Sequence, residues 1–204
     1  MTLFSQLAFR YAVHHTADMP PDQNAEIAFA GRSNAGKSTA INALANRKKL
    51  AFVSKTPGRT QAINFFDMGS RTFLVDLPGY GYAAVPRQEQ ARWNELIGTY
   101  IINRNSLILL IIIVDIRHGL TALDQQMLTW LAPTGKPAHI LLTKADKLTR
   151  HQADAILKRI EHELAGFPIA ATVQIFSGLR KTGVRQAQAV ITKFLKQKAP
   201  GQGE

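Results

Sequence analysis

Apolar positions along this chain follow two rhythms that take turns. Short, nearly continuous apolar runs occupy residues 26–30 (EIAFA), 61–67 (QAINFFD), 71–76 (RTFLVD), Leu107–Asp115 (LILLIIIVD), Ala138–Thr143 (AHILLT) and 172–177 (TVQIFS). Their lengths and β-branched content suit strands. The runs at Leu107–Asp115 and Ala138–Thr143 show no polar alternation, as expected of strands covered on both faces of a parallel sheet. Between the runs, residues 39–46, 88–103, 123–131 and 150–164 read as helices. Near the end, Val184, Ala187, Val190, Ile191, Phe194 and Leu195 fall on one helical stripe, with Arg185, Lys193, Lys196 and Lys198 around it. Residues 61–67 and 71–76 are joined by Met68-Gly69-Ser70, a connection short enough for an antiparallel pair.

This alternation predicts a doubly wound α/β fold. The expected sheet is six-stranded and mostly parallel, with one antiparallel strand and helices on both faces. Residues 1–25 read as an N-terminal extension whose PPDQN segment (20–24) turns into the first strand. Residues 26–198 read as a single domain and 199–204 as a short tail.

The turn after the first strand carries Gly31-Arg32-Ser33-Asn34-Ala35-Gly36-Lys37-Ser38: a glycine, four residues, then Gly-Lys-Ser. That is the spacing of a phosphate loop, and the flanking strand and helix are the context it needs. Backbone N–H groups in such a turn converge on one spot, where the helix N-terminus adds positive potential. The eight residues are expected to wrap nucleotide phosphates, with Lys37 reaching the outer ones and the Ser38 hydroxyl binding Mg²⁺. The fold is then of the phosphate-loop NTPase type.

Four further segments fall in the order a guanine-nucleotide site needs. Asp76-Leu77-Pro78-Gly79 closes a strand; Asp76 can hold Mg²⁺ through water and the Gly79 amide can meet a γ-phosphate. Gly58-Arg59-Thr60-Gln61-Ala62 lies between the first helix and the strand pair. There Thr60, directly before a strand, is the candidate to reach Mg²⁺ and the γ-phosphate. Thr143-Lys144-Ala145-Asp146 follows a buried strand. Guanine presents adjacent ring and exocyclic N–H donors that one carboxylate can accept together, and Asp146 is the candidate. Lys144 is placed to lie over the base or to brace the phosphate loop. Phe176-Ser177-Gly178 ends the last strand, where a backbone amide can meet the guanine oxygen.

Composition narrows the setting. The 204 residues include 25 Lys+Arg against 14 Asp+Glu, a formal net charge of +11, and no cysteine. Disulfides and thiolate metal sites are excluded. A surplus this basic points to a polyanionic partner, nucleic acid before membrane. The first residues lack a basic stretch followed by a long apolar one, and the run at Leu107–Asp115 is far below the ~20 residues of a membrane span. A cytoplasmic, membrane-free protein is expected. The pair His14-His15 reads as solvated, Trp93 and Trp130 as core residues on helices, and His118 as a loop-stabilising residue.

The segments FAGRSNAGKS (29–38), KTPGRTQ (55–61), DLPGYGYA (76–83), DIRHGLTALDQQML (115–128), LLTKADKL (141–148) and FSGLRKTGV (176–184) together resemble the EngB family. These are bacterial ribosome-biogenesis GTP-binding proteins grouped with the TrmE, Era, EngA and septin GTPases. The resemblance implies GTP and GDP binding, Mg²⁺ dependence, and a role in assembly of the large ribosomal subunit from rRNA and ribosomal proteins. It also implies a need in normal cell division and septation. A monomer is expected. Two positions depart from the family pattern. Gly178 replaces a frequent serine and is expected to loosen the guanine loop. Gly119 stands where proline is expected and should free its turn.

Ras-type enzymes orient the attacking water with a glutamine directly after Asp-x-x-Gly. Tyr80 stands there in this chain, and no neighbour reads as a general base. Slow hydrolysis, raised by a partner, is expected, with Lys37, Thr60 and Gly79 left as transition-state stabilisers. In related GTPases an asparagine at the position of Asn34 helps bind K⁺ beside the phosphates. Two readings stand: a slow GTP-hydrolysing switch, and a GTP/GDP-dependent docking module without significant hydrolysis. A kinase or ATPase is disfavoured by Thr143–Asp146.

Overall fold

A computed structural model of the chain describes residues 3–51, 62–81 and 87–198. The strands are β1 (Ala8–Val13), β2 (Ala25–Gly31), β3 (Ile63–Gly69), β4 (Thr72–Asp76), β5 (Leu107–Asp115), β6 (Ala138–Thr143) and β7 (Ala171–Ile175). The helices are α1 (Lys37–Leu44), α2 (Arg87–Asn103), α3 (Ala122–Leu131), α4 (Arg150–Ala165) and α5 (Val184–Lys198). The strands form one sheet in the order β1-β3-β4-β2-β5-β6-β7. Only β3 runs against the rest, antiparallel to both β1 and β4; the other neighbours pair in parallel.

β5 is buried along its whole length at the middle of the sheet, because helices cover both faces. On one face Ile97 and Tyr100 of α2, Leu128 of α3 and Ile160 of α4 pack over Ile112 and Ile140. On the other, Ile41 and Leu44 of α1 and Ile191 of α5 pack over Phe29 and Ile111. Trp93 is buried in the core, and Trp130 is half-buried on α3, packed against Gly98 of α2.

The six expected strands are present, and a seventh corrects the count. β1 comes from the segment read as an extension, which is part of the domain. It is an edge strand: residues 8–10 and Ala12 are exposed, and Arg10 breaks the apolar sequence AFRYAV. Its register is held by side-chain pairs instead. Phe9 meets the Phe66 ring edge-on, Tyr11 lies against Phe65 and Phe73, and a bulge between Phe9 and Tyr11 sends the two rings to opposite faces. Phe4 and Leu7 are buried just before it, and Arg47 donates to the carbonyls of Leu7 (2.8 Å) and Ser5 (3.0 Å).

A buried ion cluster closes the end of the sheet where β2 and β5 begin. Glu26 is 0% exposed. It accepts from Tyr100 Oη at 2.7 Å and from Arg104 Nη2 at 2.5 Å. Arg104 Nη1 also donates to the Pro20 carbonyl (2.7 Å), while Asp22 accepts from the amides of Asn105 (2.8 Å) and Ser106 (2.5 Å). The PPDQN turn is thereby tied to the end of α2 and the start of β5. Removing one member of such a pair strands the other charge in the core. Arg104→Ala is expected to cost about 3–5 kcal/mol, lowering the melting temperature by roughly 10 °C. Thermal denaturation followed by circular dichroism checks this, and an unshifted midpoint contradicts it.

Candidate functional site

β2, β4, β5, β6 and β7 run in the same direction, so their C-terminal ends share one edge. Register places them side by side: Phe29 opposite Asp76, Gly31 opposite Ile113, Asp115 opposite Thr143, and Leu142 opposite Ile175. Motifs spread over about 145 residues of chain thereby meet at one crevice, the usual ligand position in open α/β sheets.

The phosphate loop runs from Gly31 into α1. Gly31 lies so close to β5 that a Cβ would come within 2.9 Å of Ile113. Asn34 (φ 64°) and Gly36 (φ 104°) both take the left-handed conformation, which turns successive amides to one side. Glycine adopts it freely, and asparagine is among the few other residues that do so readily. With Gly36 at the N-cap there is no side-chain cap at the N-terminus of α1. The loop's carbonyls point the other way and are held from behind. Thr143 Oγ1 donates to Ala35 O (2.5 Å) and Lys144 Nζ to Asn34 O (2.7 Å). Lys144 therefore braces the loop, one of its two expected roles.

Lys37 forms an ion pair with Asp76 across the crevice, with Ser38 beside it in the chain. The available donors are a hydroxyl and a carboxylate, hard oxygens of the kind Mg²⁺ takes together with phosphate oxygens and water, so these residues fit that ion. The segment after Asp76 is tied to the phosphate loop strand-fashion. Leu77 N donates to Phe29 O (3.0 Å), Tyr80 N to Gly31 O (3.3 Å) and Ser33 N to Tyr80 O (2.8 Å). Gly79 lies against the Ser33 backbone: a Cβ there would be 3.4 Å from Ser33 Cα.

At the far side, Asp146 accepts from Ser177 Oγ at 2.6 Å, and Ser177 Oγ accepts from the Arg180 amide at 3.1 Å. The Ser177 hydrogen bond lowers the Asp146 pKa below its ordinary value. The group thus stays an acceptor-only carboxylate. Phe176 belongs here by its backbone alone. Its amide donates to Leu142 O and its carbonyl accepts from Ala145 N, while its ring is in the core. Ala62 is buried beside β3; Gly58, Arg59, Thr60 and Gln61 lie outside the described residues.

The family model described as "50S ribosome-binding GTPase" matches residues 26–144. The "Probable GTP-binding protein EngB" of Azoarcus sp. (strain BH72) is 53% identical over 196 residues, covering 96% of this chain and 94% of that protein. The chain belongs to the EngB family of GTP-binding proteins. The EngB protein of Methylobacillus flagellatus is 50% identical over 195 residues, covering 96% of this chain and 94% of its own. The crystal structure of a probable GTP-binding protein EngB superposes with a TM-score of 0.67 at 22% identity, over 85% of this chain and 100% of that one, and shares the fold.

Two expectations about this EngB chain are corrected by the structure. Gly178 does not loosen its loop: a Cβ there would meet Thr39 Cγ2 at 2.8 Å and Thr39 O at 3.1 Å, so glycine packs the loop tightly on α1. Gly119 adopts φ +67°, which a proline ring locked near −65° cannot reach, so glycine specifies this turn rather than freeing it. Tyr80, at the position after Gly79, is turned into the protein. It is 2% exposed and its hydroxyl donates to Asp124 Oδ1 at 2.6 Å. Burial, then the Asp124 charge, raises its pKa well above the ordinary value.

Two acids escaped the sequence reading. Asp115 accepts from Lys144 Nζ (2.9 Å), Arg117 Nε (2.9 Å) and Arg117 Nη2 (2.6 Å), fixing the lysine that braces the phosphate loop. Burial pushes its carboxyl up, but these hydrogen bonds outweigh that and hold it well below the usual range. Its position at a strand end, like that of Asp76, was the available signal. Asp124 also accepts from Thr121 N (2.8 Å) and Thr121 Oγ1 (2.6 Å), capping α3 while holding Tyr80. Nothing local in the sequence marks that double use. The exposed His118 contributes its amide, which donates to Asp115 O at 2.9 Å. His14 and His15 are exposed, as expected.

Tyr80→Phe removes one donor from a buried carboxylate and is expected to destabilise the protein by about 1–3 kcal/mol. Affinity for GDP should be unchanged, because the hydroxyl points into the protein. Chemical denaturation and calorimetric titration of the same variant test the two halves.

Proposed function

We propose that this protein is a guanine-nucleotide switch that hydrolyses GTP slowly and acts in assembly of the large ribosomal subunit, supporting normal cell division and septation. The observation that carries the nucleotide assignment is the Ser177–Asp146 hydrogen bond, which orients an ionised carboxylate beside a braced phosphate loop. A carboxylate accepts both N–H groups of the guanine edge, and adenine offers no such pair. With the Ser177 amide taken by the Thr182 carbonyl (3.0 Å), the Gly178 amide is the candidate partner for the guanine oxygen. Mg²⁺ would be held by Ser38, by Asp76 through water and by Thr60, and would screen phosphate charge. Lys37 exchanges its pairing with Asp76 for the outer phosphates, and the Gly79 amide meets the γ-phosphate. The ribosomal assignment is supported by the family description and by the +11 net charge.

Asp146→Asn replaces an acceptor with a donor where guanine already donates. GTP affinity should fall about 10²-fold, the equivalent of a lost charged hydrogen bond. Xanthosine triphosphate should bind the variant better than GTP does. Calorimetric titration measures both; equal binding of ATP and GTP by the unaltered protein would sink the assignment.

A second reading, a docking module with negligible hydrolysis, is favoured by one observation: the Tyr80 hydroxyl is committed to Asp124 and cannot orient water. Single-turnover phosphate release with and without large subunits separates the two. The switch predicts slow release that subunits accelerate. The exposed side chain of Asn34 suits a K⁺ ion beside the phosphates. Rates should rise when Na⁺ is replaced by K⁺, and the rise should vanish in Asn34→Ala.

A further inference from the structure

The surplus of positive charge is unevenly placed. From Gly178 to Lys198 the chain carries Arg180, Lys181, Arg185, Lys193, Lys196 and Lys198, with no Asp or Glu. α4 is balanced: Arg150, Lys158 and Arg159 against Asp154, Glu161 and Glu163. The balance is also structural, since Arg150 pairs with Asp154 and Arg159 with Glu163 one turn on. Among the described residues, Arg180, Lys181, Arg185, Lys193 and Lys196 form no ion pair with any acid. All five are exposed.

Packing fixes which way α5 faces. Ala187 and Ile191 are buried, and Val184, Val190, Phe194 and Leu195 pack against the core. Gln188 Nε2 donates to the Leu44 carbonyl at 2.7 Å, anchoring α5 to the end of α1. The outward face then presents Arg185, Ala189, Lys193 and Lys196, at the four- and three-residue steps that align on one side of a helix. Ala189, Thr192, Lys193, Lys196 and Gln197 line a shallow open groove along it. At the N-terminal end this face continues into the exposed Leu179-Arg180-Lys181 loop.

We propose that this face, from the loop at Arg180 along α5 to Lys196, is a docking surface for the phosphate backbone of RNA. The proposal rests on the ribosomal reading above and gives that partner a place on the molecule. Lysine, arginine, threonine and glutamine side chains are the groups that contact nucleic-acid phosphates. A helix that seats in a lipid surface inserts an apolar face, and the apolar stripe of α5 is already used on the sheet. A protein partner is normally anchored by buried aromatic groups, and α5 presents none outward. The surface also adjoins the base-recognition site: the Arg180 amide donates to the same Ser177 hydroxyl that holds Asp146.

The test uses the full chain, a fluorescent RNA hairpin of about 16 base pairs, and two triple variants that remove equal charge. One is Arg185→Gln/Lys193→Gln/Lys196→Gln on α5, the other Arg150→Gln/Lys158→Gln/Arg159→Gln on α4. The α5 variant should bind the hairpin roughly 10- to 100-fold more weakly, and the slope of log affinity against log salt should fall by about 2–3. The α4 variant should match the unaltered chain, and both should keep its melting temperature and GDP affinity. Undetectable hairpin binding by the unaltered chain, parental affinity in the α5 variant, or equal loss in both variants overturns the proposal. So does loss of binding to phosphatidylglycerol vesicles without loss of RNA binding. Sedimentation with large ribosomal subunits separates the two levels. If the unaltered chain fails to sediment while hairpin binding still depends on α5, the ribosomal reading falls and the RNA face stands. If it sediments and the α5 variant sediments equally and keeps the hairpin, the RNA face falls and the ribosomal reading stands.

Discussion

The site depends on how the back of the phosphate loop is held. A peptide unit carries its N–H and C=O on opposite sides, so a loop that turns its amides toward a ligand must turn carbonyls toward the protein. Those carbonyls need donors. Thr143 and Lys144 supply them from the end of β6, more than a hundred residues further along the chain. Asp115 holds Lys144 in turn. The segment leading to Asp146 and the phosphate loop are therefore mechanically one unit, because Thr143 and Lys144 form the rear wall of that loop.

The same loop is tied forward. Tyr80 exchanges backbone hydrogen bonds with Gly31 and Ser33, and its side chain reaches Asp124 at the N-terminus of α3. The stretch that follows Asp76 is thus clamped between two rigid elements up to Tyr80. The stretch that contains Gly79 is joined to the start of α3 through one buried hydrogen bond. That is a structural use for a position where Ras-type enzymes carry a water-orienting glutamine.

The two ends of the sheet have opposite characters. At the N-terminal ends of β2 and β5, Glu26, Tyr100 and Arg104 satisfy one another in the interior and lock the chain's beginning onto it. At the C-terminal ends the polar groups are gathered around a crevice: Lys37, Asp76, Asp115, Lys144 and Asp146. A buried ion cluster thus closes one end of the sheet and a polar crevice opens at the other. Among the described residues, Arg185, Lys193 and Lys196 on α5 form no ion pair and lie outside both.

Fold class and most of the crevice were legible in the sequence because they rest on local patterns. Leu107–Asp115 and Ala138–Thr143 were bounded correctly, since strands covered on both faces must be continuously apolar. The phosphate loop was legible because its spacing is set by the turn geometry itself. What the sequence left undetermined was decided by partners distant in the chain. β1 is placed by its pairing with β3 and by the rings of Phe66 and Phe65 there. The reason for Gly178 is the backbone of α1, and the reason for Gly119 is a left-handed turn. Tyr80 and Asp124 carry no local sign that they meet. Periodicity and turn chemistry act between near neighbours and can be read in order along the chain. Close packing and shared hydrogen bonds act between residues brought together only by the fold, so those roles exist only in three dimensions.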